Sequence, residues 1–172
     1  MNSINSTYKI RRAERNDLCA ISDIYNYEVA NGTATFDIHP STMPELETWF
    51  AAHNVDNHPL IVIETEGQVA GYASLSKYRD KEAYAGTTVE LSVYVGYEFR
   101  GRGYAKALVS ELIGMAKRDP ATHVIVSVIT EGNDASVSLH RHFGFTFCGT
   151  IHETGFKFGR YLGIDNYELI VG

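Results

Sequence analysis

Apolar and polar residues recur along this chain with two different periods, and the switches between them mark its elements. Tyr8-Lys9-Ile10-Arg11 is short and alternating, which predicts a first strand. Leu18, Ile21, Tyr25 and Val29 gather near one face of a helix, with Asn16 or Asp17 as its cap and Gly32 as its stop. Ser41 or Thr42 opens a second helix, where Pro44 is tolerated in the first turn and Trp49 and Phe50 give bulk to bury. Leu60 to Glu66 and Val69 to Tyr78 are β-prone runs joined at Glu66-Gly67, a hairpin pattern. A polar stretch from Arg79 to Gly86 leads into Thr87 to Val95, the most β-prone run of the chain.

Ala105, Leu108, Val109, Leu112, Ile113 and Ala116 form one apolar stripe at helical period, ended by Asp119-Pro120. Val124 to Ile129 is almost continuously apolar and suits a buried strand flanked by helices. Asn133 or Asp134 caps a further helix that ends near Phe143-Gly144, and Phe145 to Ile151 and Tyr167 to Val171 supply the last strands. The order β-α-α-β-β-β-α-β-α-β-β predicts one α/β domain over residues 8–172, built on a mixed sheet, after a flexible N-terminus at 1–7.

The 172 residues suffice for one sizeable core, and 44 % hydrophobic with 21 % charged residues fits a globular chain. The formal net charge of −6 offers no bulk attraction to nucleic acid or an anionic membrane. An anionic ligand must therefore be held locally. The chain shows neither an apolar run of the roughly 18 residues that a span requires nor, at its start, a signal-peptide pattern. Cys19 and Cys148 lack metal-ligand spacing and read as free thiols of a cytoplasmic protein. His140 and His142 face apart on a helix, so no metal site is expected.

The local anion site is legible. Val93-Tyr94-Val95 is followed by Arg100-Gly101-Arg102-Gly103-Tyr104-Ala105-Lys106 and then the striped helix. A helix start offers unpaired N–H groups and the positive end of its dipole. Glycines let that backbone approach a pyrophosphate, and Arg100, Arg102 and Lys106 add charge. The same residues also suit a Gly-rich turn that binds nothing. A Rossmann site would place its glycines after the first strand, and a Walker loop would need Gly-Lys-Ser/Thr, which is absent.

Arg100-x-x-Gly103-x-Ala105 resembles the pyrophosphate signature of the GNAT family of N-acetyltransferases. Six further pieces resemble the phosphinothricin and methionine sulfoximine N-acetyltransferases within it. They are Ile24-Tyr25-Asn26, Gly71-Tyr72-Ala73-Ser74, Thr88-Val89-Glu90, Ser92-Val93-Tyr94-Val95, Ser138-Leu139-His140 with Gly144-Phe145, and Gly155-Phe156-Lys157-Phe158-Gly159-Arg160. The resemblance implies a mixed, mostly antiparallel sheet flanked by helices. It implies acetyl-coenzyme A as co-substrate, a small amino-acid-like amine as acceptor and direct transfer in a ternary complex.

It also implies roles. Glu90 is the base, or else an anchor for the acceptor's ammonium. Val93, Tyr94 and Val95 pair with the pantetheine arm, which Asn133 and Ser136 also meet. His140 stands where many relatives carry a Tyr that protonates or positions the sulfur. Arg79 holds the acceptor's carboxylate, while Phe36 and Ser92 line its pocket. No Cys or Ser is expected to carry acetyl, and Cys148 is expected in the core. A homodimer is implied through the loop at Lys157 to Arg160. Competing readings are another amine acceptor (a polyamine, an aminoglycoside or a protein N-terminus) and a coenzyme A-binding module without catalysis.

Overall fold

A computed structural model describes residues 8–172, so the expected flexible segment at 1–7 lies outside the described residues. The elements follow the predicted order: β1 (Tyr8–Arg12), α1 (Leu18–Asn31), α2 (Met43–Ala51), β2 (Leu60–Thr65), β3 (Gln68–Lys77), β4 (Thr88–Val95), α3 (Tyr104–Arg118), β5 (Val124–Thr130), α4 (Asp134–His142), β6 (Thr146–Lys157) and β7 (Arg160–Ile170). The strands form one seven-stranded sheet in the order β1-β2-β3-β4-β5-β7-β6. All pairs are antiparallel except β4 with β5. The crossover between those two parallel strands runs through α3, as a parallel pair requires.

Each face of the sheet has its own core. On one, Leu108, Val109 and Leu112 of the α3 stripe pack against Ile63, Leu75, Val89 and Ile125. On the other, Leu18, Ile21 and Leu46 of α1 and α2 meet Leu60, Val62 and Tyr72.

Local details depart from the sequence reading. Asp17 precedes α1 but its side chain does not cap it. The carboxylate instead accepts from the Arg11 guanidinium at 2.7 and 2.9 Å and from Glu14 N at 2.8 Å. Arg11 outcompetes a backbone N–H because the bidentate pair is charge-assisted. At α2, Thr42 and Glu45 close a capping box, Glu45 Oε2 accepting from Thr42 N at 2.8 Å.

The last two strands are much longer than predicted and meet at Phe158-Gly159, both with positive φ (52° and 75°), as a two-residue hairpin turn demands. Register breaks at Phe147/Gly149 and Ile151/Gly155 disrupt the alternation that would have betrayed them. Cys148, expected in the core, is exposed on β6.

Leu112 is fully buried beneath α3. Leu112→Ala is expected to cost about 2–5 kcal/mol, read from urea unfolding.

Candidate active site

The site begins where backbone pairing stops. β4 and β5 are paired at Thr88↔Val124, Val89↔Ile125 and Glu90↔Val126 only, although both strands run on. Beyond Glu90 they part, leaving a cleft of about 630 Å³. β3 pairs with β4 as far as Val95, so only the cleft-side edge of residues 91–95 is open. An open strand edge accepts an extended, amide-bearing ligand as an added strand. Val93, Tyr94 and Val95 line the cleft as expected.

At its mouth stands the start of α3. Gly101 and Gly103 have φ of 76° and 82°, and Gly103 is the N-cap. A Cβ on either would meet nothing within 4 Å, so the space before them is open to a ligand. Arg100 and Ala105 line the cleft, whereas the side chain of Tyr104 points into the core and only its backbone can serve. Arg102 and Lys106 are exposed, with Arg102 donating to Glu98 O at 3.2 Å. Arg100 is ion-paired to the buried Glu28 and stacks over Tyr97 and Tyr27, 5.4 and 5.8 Å from the ring centroids. Left-handed glycines, a helix start and an oriented guanidinium together fit a pyrophosphate.

Glu90 projects into the cleft at its apex. Burial raises its carboxyl pKa above the ordinary range, and the charge of Arg79 partly opposes this. Arg79 itself is exposed, with its guanidinium 4.8 Å from the Tyr78 ring centroid, and lines neither the cleft nor its neighbour. That neighbour is a cavity of about 460 Å³ between the α1–α2 segment and the sheet. It shares Ser92 and Tyr94 with the cleft, and Ser74, Trp49, Asp37 and Glu45 also line it.

Asn133 caps α4, accepting from Ser136 N at 3.2 Å through Oδ1, which leaves its amide Nδ2 to face the cleft. His140 is 1 % exposed, and burial lowers its pKa. Its Nδ1 lies 2.7 Å from Ser136 O and its Nε2 2.7 Å from Ser127 Oγ. His140 and Ser127 thus line the cleft as a hydrogen-bonded pair.

Phe36 walls the cleft, its ring filling the space that a side chain at Gly155 would need. Lys157, 3 % exposed, donates to Thr35 O at 2.9 Å and so ties β6 to the segment bearing Phe36.

Sequence reasoning missed Glu28 and Ser127, and the burial of Lys157. Glu28 falls on the stripe with Ile21 and Tyr25, a charge on an apolar face. Ser127 is the one polar residue within Val124 to Ile129. Lys157 entered only as part of the resembling loop, because burial of a lysine on a hairpin is a tertiary outcome.

Among the described residues no cluster of three His, Cys, Asp or Glu could hold a metal. Residues 21–145 match the model of the acetyltransferase (GNAT) family. The chain is 40 % identical over 161 residues to an L-methionine sulfoximine/L-methionine sulfone acetyltransferase of Pseudomonas paraeruginosa, covering 93 % of this chain and 92 % of that one. It is 37 % identical to a phosphinothricin N-acetyltransferase of Streptomyces coelicolor, with 93 % and 94 % covered. A phosphinothricin acetyltransferase from Sinorhizobium meliloti, solved with acetyl-coenzyme A, superposes with a TM-score of 0.91 at 36 % identity, covering 96 % of this chain and 89 % of that one. With these likenesses beside the cleft, the glycine turn and the open edge of β4, the chain belongs to the GNAT family and is an N-acetyltransferase that uses acetyl-coenzyme A.

Proposed function

We propose that the protein transfers the acetyl group directly to the amine of a small amino-acid-like acceptor of the methionine sulfoximine, methionine sulfone or phosphinothricin type. The observation that carries this reading is the parting of β4 and β5 at Glu90, a desolvated carboxylate at the apex of a cleft that ends on the α3 glycine turn. Relatives at 37–40 % identity acetylate acceptors of this type.

The coenzyme's chemistry is to present an activated acetyl thioester. The protein's part is to orient and deprotonate. The open edge of β4 and the Asn133 amide hold an extended arm, while the Gly101–Gly103 turn, Ala105 and Arg100 hold the phosphates. Arg102 and Lys106 add charge at the mouth. Glu90 takes the amine's proton, directly or through one water, and burial makes its carboxylate a stronger base than an exposed one. A backbone N–H of Val93, Tyr94 or Val95 polarises the acetyl oxygen. The acceptor's body lies in the 460 Å³ cavity beside Ser92, with Phe36 close by. Arg79, whose charge already reaches Glu90, swings onto the acceptor's carboxylate.

A second reading within the same class has one observation in its favour. Asp37 and Glu45 line the acceptor cavity and no Lys or Arg does, which favours a cationic acceptor such as a polyamine. Thiol release over a panel of phosphinothricin, methionine sulfoximine, methionine sulfone, common amino acids and spermidine separates the two. Turnover confined to spermidine would overturn the amino-acid reading.

The homodimer belongs to the proposal too. Phe156 and Tyr161, adjacent across the terminal hairpin, are 60 % and 64 % exposed, and Phe158 at its tip is also exposed. Such an apolar patch seeks a partner, and a second copy of the chain is the occupant we infer.

Glu90→Gln is expected to lower kcat by about 10²- to 10⁴-fold, to remove the Glu90 limb from the pH profile and to leave coenzyme A binding intact. Unchanged turnover would remove Glu90 as the base. Gly103→Ala is expected to cost about 1–2 kcal/mol of stability for its left-handed φ, seen in urea melts. Its affinity for coenzyme A, by calorimetry, should fall about tenfold or more as a backbone bond to phosphate is displaced. Phe156→Ser with Tyr161→Ser should sediment as a monomer if the hairpin is the interface; an unshifted dimer would place the interface elsewhere.

A further inference from the structure

The His140 imidazole is committed on both sides. A carbonyl oxygen only accepts, so the 2.7 Å contact with Ser136 O puts a hydrogen on Nδ1. In the neutral ring Nε2 is then the acceptor, and Ser127 Oγ–H at 2.7 Å is its donor. Burial favours that neutral ring, and the hydrogen bond to Ser136 O partly opposes it. The rings of Phe145 and Tyr167 pack around it at 5.0 and 6.5 Å, Tyr167 being the titratable one. Neither nitrogen has a hydrogen to spare for the cleft.

Ser127 does stand at the cleft. Glu90↔Val126 is the last pair before the strands part, and Ser127 is the next residue of β5. Successive strand residues alternate faces, so Glu90 and Ser127 flank the apex from opposite sides of the sheet. Ser127 is 2 % exposed and lines the cleft with His140 and Ser136. An acetyl thioester attacked by an amine held at Glu90 would turn its sulfur away from that face, towards Ser127.

We propose that Ser127 is a catalytic residue, its hydroxyl being the group that meets the departing sulfur, with His140 a positioning residue that acts through it. This rests on the acetyl-transfer reading above. When Nε2 binds a proton from solvent, which the amine proton leaving through Glu90 replaces, the hydrogen bond reverses. Nε2–H then donates to Oγ and frees the serine hydrogen to turn into the cleft. As the carbon–sulfur bond breaks, its electron pair goes to sulfur, which takes the Ser127 hydrogen. The Ser127 oxygen takes the Nε2 hydrogen. A thiol, an intact serine and a neutral imidazole remain, while the amine's proton leaves separately through Glu90.

The first test needs no acceptor. Coenzyme A is bound to the protein and its thiolate absorbance is followed against pH. In Ser127→Ala the bound thiol should become a weaker acid by about tenfold or more, the loss of one hydrogen bond to a charged atom, with recovery in Ser127→Thr. With a turned-over amine, Ser127→Ala should lower kcat about 10- to 100-fold on the same ground while leaving the KM for acetyl-coenzyme A near its original value. His140→Gln should fall similarly, and the double variant no further than the worse single, because the two act as one unit. A bound thiol that titrates alike in wild type and Ser127→Ala, yet shifts in His140→Gln, would put the imidazole on the sulfur and overturn the proposal. Should Ser127→Ala not fold, Ser127→Cys against Ser127→Thr makes the same comparison of weak and strong donor. A wild type that binds coenzyme A but acetylates no amine would sink the functional reading, and the thiol titration would still decide on Ser127.

Discussion

Everything at the candidate site depends on two parallel strands that stop pairing after three residues each. A sheet normally satisfies its backbone groups by continuing its ladder. Here β4 and β5 run on past Glu90↔Val126 with a gap between them, so β4 keeps an unpaired edge facing open space. That edge is costly in a closed core and useful only where something extended fills it. The α3 glycine turn closes the mouth of the gap, α4 and Ser127 bound its apex, and the Phe36 segment walls it. Remove the parting and these residues lie on a continuous sheet with nothing between them.

Electrostatics then follows from burial. The same desolvation moves the two titratable groups at the apex in opposite directions, the Glu90 carboxyl upward and the His140 imidazole downward. Both shifts favour the uncharged form of the group, the protonated carboxyl and the neutral imidazole. The mouth is arranged differently. In a chain of net charge −6 the guanidinium of Arg100 is held by Glu28 and an aromatic shelf of Tyr27 and Tyr97. The pairing with Glu28 fixes where the charge sits and keeps much of its field off the surrounding surface.

The element order was legible because the relevant patterns are periodic. The α3 stripe, the hairpin at Glu66-Gly67 and the apolar run of β5 all appear where their spacing puts them. The glycine turn was legible from chemistry, since Gly101 and Gly103 adopt left-handed φ that other residues resist. What escaped has physical reasons. The long β6–β7 hairpin is interrupted by two register shifts and exposes its aromatics, so neither alternation nor burial marked it. Ser127 gains meaning only from where the strands part, and His140 looked free because sequence cannot show that a serine and a backbone carbonyl hold both of its nitrogens. Arg79 followed the resemblance to the end of β3, but its side chain rests on Tyr78 outside both cavities.

The three-pair junction between β4 and β5 also has a mechanical meaning. Strands β1 to β4 form one plate and β5, β7 and β6 another, with longer ladders inside each than between them. The short junction is the seam along which the two plates share backbone bonds. Because the shared bonds all lie at the Glu90 end, the spacing of Glu90 and Ser127 is the part of the gap that the backbone ladder fixes most directly. A long molecule lying along the gap would thus meet a spacing set by backbone hydrogen bonds at one end and by side chains alone along the rest.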